Sequence, residues 1–137
     1  MARSPPSRSY IRLTMSKIDI RAGEPSALAA LEGLYPLAFP DEDLLSVVRA
    51  LNAAKGEALS LVAIVDSRIV GNVFFSHCRV GETKAALLGP LAVTPERQQQ
   101  GVGSALIAAG LNRMKDEGAR IACVLGDPSY YQRFGFR

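Results

Sequence analysis

Residues 88–106, Leu-Gly-Pro-Leu-Ala-Val-Thr-Pro-Glu-Arg-Gln-Gln-Gln-Gly-Val-Gly-Ser-Ala-Leu, constrain the fold more than any other stretch of this chain. The apolar run broken by Gly89-Pro90 reads as a strand, Thr94 to Gln100 as a polar loop, and Gly101-Val102-Gly103 as a turn opening a helix. From Val102 to Glu117 the apolar residues fall on two adjacent stripes. Val102, Leu106 and Ala109 form one, and Ile107, Leu111 and Met114 the other, a coverage that suits a helix lying on a sheet. Gly118 is placed to cap this helix. Arg120 to Leu125 then reads as a buried strand parallel to the first. A strand, a crossover helix and a parallel strand commit the chain to an α/β sheet.

The preceding residues supply the rest of that sheet. Lys17 to Arg21 alternates like a short strand. Glu24-Pro25 opens a helical pattern with Leu28, Leu31 and Leu34 on one face. A second helix is expected after Pro40, with Asp41, Glu42 and Asp43 in its first turn, where acids suit the dipole. Leu44, Val47, Val48 and Leu51 form its apolar stripe. Leu59 to Val65 and Ile69 to Phe75 read as strands joined at Asp66-Ser67-Arg68, and Gly81-Glu82 turns the chain into a third run, Ala85 to Val93. Pro128 to Phe134 is expected to form a short last helix. The predicted fold is α/β: a mixed central sheet, made of an antiparallel meander plus one βαβ crossover, flanked by helices. It occupies residues 17–137 as one domain. Residues 1–16, rich in Ser, Arg and Pro and free of acids, read as a disordered leader.

Charge and composition exclude several classes. The formal charge is +3, but Arg3, Arg8 and Arg12 account for it, and the remaining chain carries equal numbers of bases and acids. No nucleic-acid partner is expected without a basic folded face. The longest near-continuous apolar run, Ala58 to Val65, is far shorter than the ~20 residues of a membrane helix, so no membrane partner is expected. Cys78 and Cys123 lie in apolar runs without metal-type neighbours. They read as buried thiols in a reducing, cytoplasmic setting, with no metal site.

A helix start presents unpaired N–H groups at the positive end of its dipole, a natural site for phosphate. Which phosphate ligand is meant depends on the spacing of the glycines. A Walker A loop needs Lys-Ser/Thr after the second Gly, where Ser104-Ala105 stands. A dinucleotide fingerprint needs a third Gly where Leu106 stands, and it follows its strand more closely than Gly101 follows Val93.

The pattern Gln/Arg-x-x-Gly-x-Gly/Ala fits Gln98-Gln99-Gln100-Gly101-Val102-Gly103 at every place. With Leu91-Ala92-Val93, Pro95-Glu96, the helix, the second strand and Tyr131-x-x-x-Gly135-Phe136, the chain resembles the GNAT superfamily of acetyl-CoA-dependent N-acetyltransferases over residues 17–137. The segment Leu125-Gly-Asp-Pro-Ser-Tyr-Tyr131 is similar to a branch of small members. The resemblance implies acetyl-CoA as co-substrate. Pantetheine would lie against the backbone of Leu91, Ala92 and Val93 where Gly89-Pro90 parts the strands. Pyrophosphate would be ringed by the amides of Gln98, Gln99, Gln100, Gly101, Val102, Gly103 and Ser104. Tyr131 holds the place of the family's acid that protonates the departing sulfur.

No carboxylate on the strand Ala85 to Val93 offers a general base. His77 reads as structural, and the acids at 41–43 read equally as a border of the acceptor side or a solvated helix start. The family's Asn on the pantetheine side has no counterpart in Gly126-Asp127-Pro128. Its two further strands after Gly-Phe would have no residues here beyond Arg137, which predicts an exposed sheet edge open to a partner chain as a homodimer. The expected activity is direct acetyl transfer to a primary amine of a small molecule or peptide. The alternative is a non-catalytic acyl-CoA-binding module.

Overall fold

The computed structural model describes residues 17–54, 56–124, 126 and 131–132. The expected leader and most of the expected last helix lie outside those residues. A five-stranded sheet runs in the order β1-β2-β3-β4-β5. Its strands are β1 (Asp19–Ala22), β2 (Ala58–Val65), β3 (Arg68–Val80), β4 (Thr83–Val93) and β5 (Ile121–Val124). Neighbours from β1 to β4 are antiparallel, and β4 pairs β5 in parallel. Between β1 and β2 lie α1 (Leu28–Ala38), led in by a 3₁₀ turn at Pro25–Ala27, and α2 (Leu45–Ala53). The crossover helix is α3 (Val102–Asp116). The expected meander and crossover are therefore present.

Local chemistry explains the joints. The β2–β3 hairpin turns on Asp66 and Ser67, both with positive φ (51° and 66°), as a two-residue loop requires. Arg68, expected in the turn, instead pairs with Val65. Helix α3 ends as its sequence suggested. Gly118 takes φ 102°, its N–H bonds the carbonyl of Lys115, and the N–H of Ala119 bonds that of Met114. These are the two bonds of a Schellman cap.

The sheet is covered on both faces. Against α3 lie Val73, Phe75, Ala86, Leu88, Leu91 and Val93, packed with Val102, Leu106, Ile107 and Met114. Against α1 and α2 lie Val62, Phe74 and Ala92, packed with Leu31, Leu34, Tyr35 and Val48. Two glycines let α3 approach closely. A Cβ on Gly110 would overlap the Phe75 ring, and one on Gly71 would stand 2.9 Å from Val102 Cγ1.

Two elements differ from the sequence reading. Helix α2 begins at Leu45, so the acids at 41–43 precede it. Asp43 Oδ1 accepts the N–H of Leu45 at 3.3 Å, and of the expected stripe Val48 alone is buried while Val47 is 46% exposed. Strand β5 holds no fully buried residue where a buried strand was expected, with Ile121 42% exposed; among the described residues it lies at the sheet's edge, as the expected exposed edge has it. Its apolar sequence is the same in either position, which is why period alone did not separate them.

Candidate functional site

Strand β4 carries a bulge at Gly89-Pro90. Val73 is paired with Leu91 and Phe75 with Leu88, so Gly89 and Pro90 together face Phe74. One extra residue would normally turn every later side chain to the other face. Here it keeps Leu88 and Leu91 on the α3 side although three positions separate them. Among the described residues, the pairing with β5 ends at the same point: Leu88 opposite Val124 is the last pair.

Among the described residues, β4 beyond the bulge therefore has a partner on one side only. The N–H of Thr94 bonds the carbonyl of Val70 at 2.9 Å. By the alternation of an antiparallel ladder, Thr94 and Ala92 direct their backbone groups to β3. Leu91 and Val93 direct theirs to the opposite edge, which Ile121–Val124 does not reach. The side chains of Leu91, Ala92 and Val93 are buried, so any ligand contact at these expected positions belongs to the backbone.

A buried polar network braces the bulge. The hydroxyl of Tyr35 donates to Asn72 Oδ1 at 2.6 Å and lies 3.2 Å from the carbonyl oxygen of Pro90. Asn72 Nδ2 donates to Ser60 Oγ at 3.1 Å and to the carbonyl of Leu61 at 2.9 Å. Asn72 is fully buried, and such a group is retained only when its hydrogen bonds are made. Sequence reasoning passed over it. The available signal was an amide inside the apolar run Ile69 to Phe75.

The loop after β4 is held by its own glutamines. Gln98 Nε2 donates to the carbonyl of Val93 at 3.0 Å, and Gln100 Nε2 to that of Glu96 at 3.0 Å. Gln99 (φ 64°) and Gly101 (φ 87°) are left-handed, so the chain turns sharply into α3. Gly101 is the N-cap, and no side chain caps the helix. The N–H groups of Val102, Gly103 and Ser104 form its first turn and have no acceptor within it. Two details correct the sequence reading. The N–H of Gln98 already bonds the carbonyl of Pro95. Gly103, read as part of the turn, is an ordinary helical residue, and Gly101 alone of the pair takes a positive φ.

Tyr131 is helical, 4% exposed, and belongs to the α3-side core. It lines a cleft of about 550 Å³ together with Gly89, Pro90 and Leu91. The structure thus brings the expected tyrosine to the expected bulge. The far wall comes from Phe39, Leu44, Val47 and Leu51, and among the described residues the polar side chains of the lining other than Tyr131 are those of Glu42 and Ser76. His77 is outside this lining. Its Nε2 lies 2.7 Å from Glu117 Oε1 in an exposed pair. Among the described residues, no group of His, Cys, Asp or Glu could hold a metal ion, and no helix is long and apolar enough to cross a membrane.

Comparison with known proteins adds an independent line. A family model described as an acetyltransferase (GNAT) domain matches residues 56–137. The chain is 41% identical over 83 residues to the uncharacterized N-acetyltransferase YjhQ of Escherichia coli (strain K12), covering 58% of this chain and 46% of that protein. It thus spans less than half the length of that relative. To the uncharacterized N-acetyltransferase YhbS of the same strain it is 31% identical over 120 residues, 85% of this chain and 72% of that one. The crystal structure of a GNAT family acetyltransferase from Brucella melitensis in complex with acetyl-CoA matches with a TM-score of 0.76 and 36% identity, over 89% of this chain and 84% of that one.

Proposed function

This chain belongs to the GNAT acetyltransferases, and from that premise we propose that it transfers the acetyl group of acetyl-CoA to a primary amine by direct attack. The observation that carries the reading is the fork at Gly89-Pro90. There the described β4–β5 pairing ends, and the backbone of Leu91 and the N–H of Val93 face no described strand, while the Val93 carbonyl accepts from Gln98. The amide-bearing pantetheine arm has the donors and acceptors to occupy such an edge. Along the same path lie the left-handed turn at Gln99 and Gly101 and the uncapped N–H groups of Val102, Gly103 and Ser104. A pyrophosphate suits that helix start without any cationic side chain. Gln98 and Gln100 hold the loop in shape through their side chains.

Transfer joins the amine nitrogen to the acetyl carbon and breaks the carbon–sulfur bond. The sulfur takes up one proton and the nitrogen gives up one, so an amide and a free thiol result. Tyr131 is the proton donor in this reading. A phenol is protonated at neutral pH, and its reference pKa lies within about two units of a thiol's, so the transfer is accessible. Its place in the cleft beside Gly89, Pro90 and Leu91 supports the role.

Calorimetric titration of acetyl-CoA, followed by thiol release on adding a primary amine, tests the proposal. Saturable binding with amine-dependent release is expected. Binding without release for any amine would leave an acyl-CoA-binding module, and the absence of binding would overturn the reading.

A further inference from the structure

Glu42 is the one carboxylate among the described residues lining the cleft, and no Lys or Arg accompanies it there. The surface around it is apolar: Phe39, Leu44, Val47 and Leu51 on the helix side, Leu87 and Pro90 on β4. Val47, which lines the cleft, is 46% exposed, although an apolar side chain gains from cover. The neighbouring acids are not part of the lining. Asp43 accepts the N–H of Leu45, and Asp41 does not reach the cleft. Among the described lining residues Glu42 is the single charge, and a lone charge beside an apolar surface focuses its field on one cation.

We propose that the acceptor is a compact primary amine of single positive charge with an apolar body. Its ammonium would be drawn to Glu42 and its body would pack against Phe39, Leu44 and Leu51. This deepens the transfer reading and rests on it. The captured ammonium loses one proton to solvent before its nitrogen attacks. A polycation would leave further charges unpaired against an apolar wall. A zwitterionic amino acid would bring its own carboxylate toward Glu42. The cleft of about 550 Å³ also has to admit the thioester end of the donor, which favours a small acceptor.

The test is equilibrium binding of 2-phenylethylamine to the full chain and to the Glu42→Gln and Glu42→Lys variants, with spermidine and glycine as comparison probes. Glu42 is exposed, so both variants are expected to fold. 2-Phenylethylamine should bind at least tenfold more tightly than either comparison probe. Glu42→Gln should weaken it about fivefold, the scale of one partly exposed ion pair, and Glu42→Lys should weaken it further. Acetyl-CoA affinity should be the same in all three proteins. Equal amine binding by wild type and Glu42→Gln, or a preference for spermidine or glycine, overturns the proposal. Amine binding as stated with no acetyl-CoA binding would overturn the transfer reading and leave the amine site standing.

Discussion

The hydroxyl of Tyr35 donates a 2.6 Å hydrogen bond to Oδ1 of Asn72, tying α1 to β3 across 37 positions of sequence. Both residues are buried, and the hydroxyl is also 3.2 Å from the carbonyl of Pro90. One side chain thus connects the helix layer, the central strand and the bulge that opens the cleft. The bulge is a braced feature of the fold rather than an edge irregularity.

Tyr35→Phe keeps the ring and removes that donor, leaving Asn72 Oδ1 buried without it. A loss of about 1–3 kcal/mol in unfolding free energy is expected, measured by urea titration. Acetyl-CoA affinity should fall as well, because Pro90 carries the fork. Unchanged affinity would show that the bulge is held by the strands alone.

Gly101 stands at φ 87° with open space where a Cβ would point. Gly101→Ala therefore meets no clash, and its cost is conformational, about 1–2 kcal/mol for a left-handed residue. Acetyl-CoA binding by calorimetry should weaken by roughly tenfold if the helix start relaxes. Gly101→Asn, which tolerates this conformation better, should fall between wild type and Ala. Identical binding by all three proteins would remove the turn from the anion site.

Tyr131→Phe separates chemistry from binding. Turnover should drop by about 10²-fold, the usual scale of a lost general acid, while acetyl-CoA affinity holds. A parallel loss of both would mean that the tyrosine shapes the cleft instead of donating a proton.

Glu117 gives a pH dependence far simpler than that of the cleft. The His77 ring at 2.7 Å and then Arg113 Nε at 2.9 Å hold its carboxyl below the ordinary value of 4.5. A folded pKa below the unfolded one stabilises the fold above the unfolded value, and that contribution is lost as pH falls through the folded value. Glu117→Gln should therefore flatten the acid limb of stability below about pH 4.5, read from urea midpoints between about pH 6 and about pH 3. An acid limb as steep as wild type would remove Glu117 from the account.

Much of this was legible in residues 88–125. The crossover, its helix cap at Gly118 and the anomaly at Gly89-Pro90 follow from local rules: apolar period, a glycine's access to positive φ, and proline's missing donor. The glycine pattern at 98–103 likewise located the uncapped helix start. These features are written in neighbouring residues, so a sequence carries them directly.

What only the tertiary structure decided depends on residues far apart in the chain. Asn72 is satisfied by Tyr35, Ser60 and Leu61, partners that lie 11 to 37 positions away in the chain. Arg120 to Leu125 reads as a buried strand in sequence, and the packing leaves Ile121 exposed and none of Ile121–Val124 fully buried. In sequence Glu42 reads equally as a border of the acceptor side or a solvated helix start; helix α2 begins at Leu45, and Glu42 lines the cleft. A period states which way a side chain points within its own element. Which partner it then meets is fixed by packing between elements, and that information is not local.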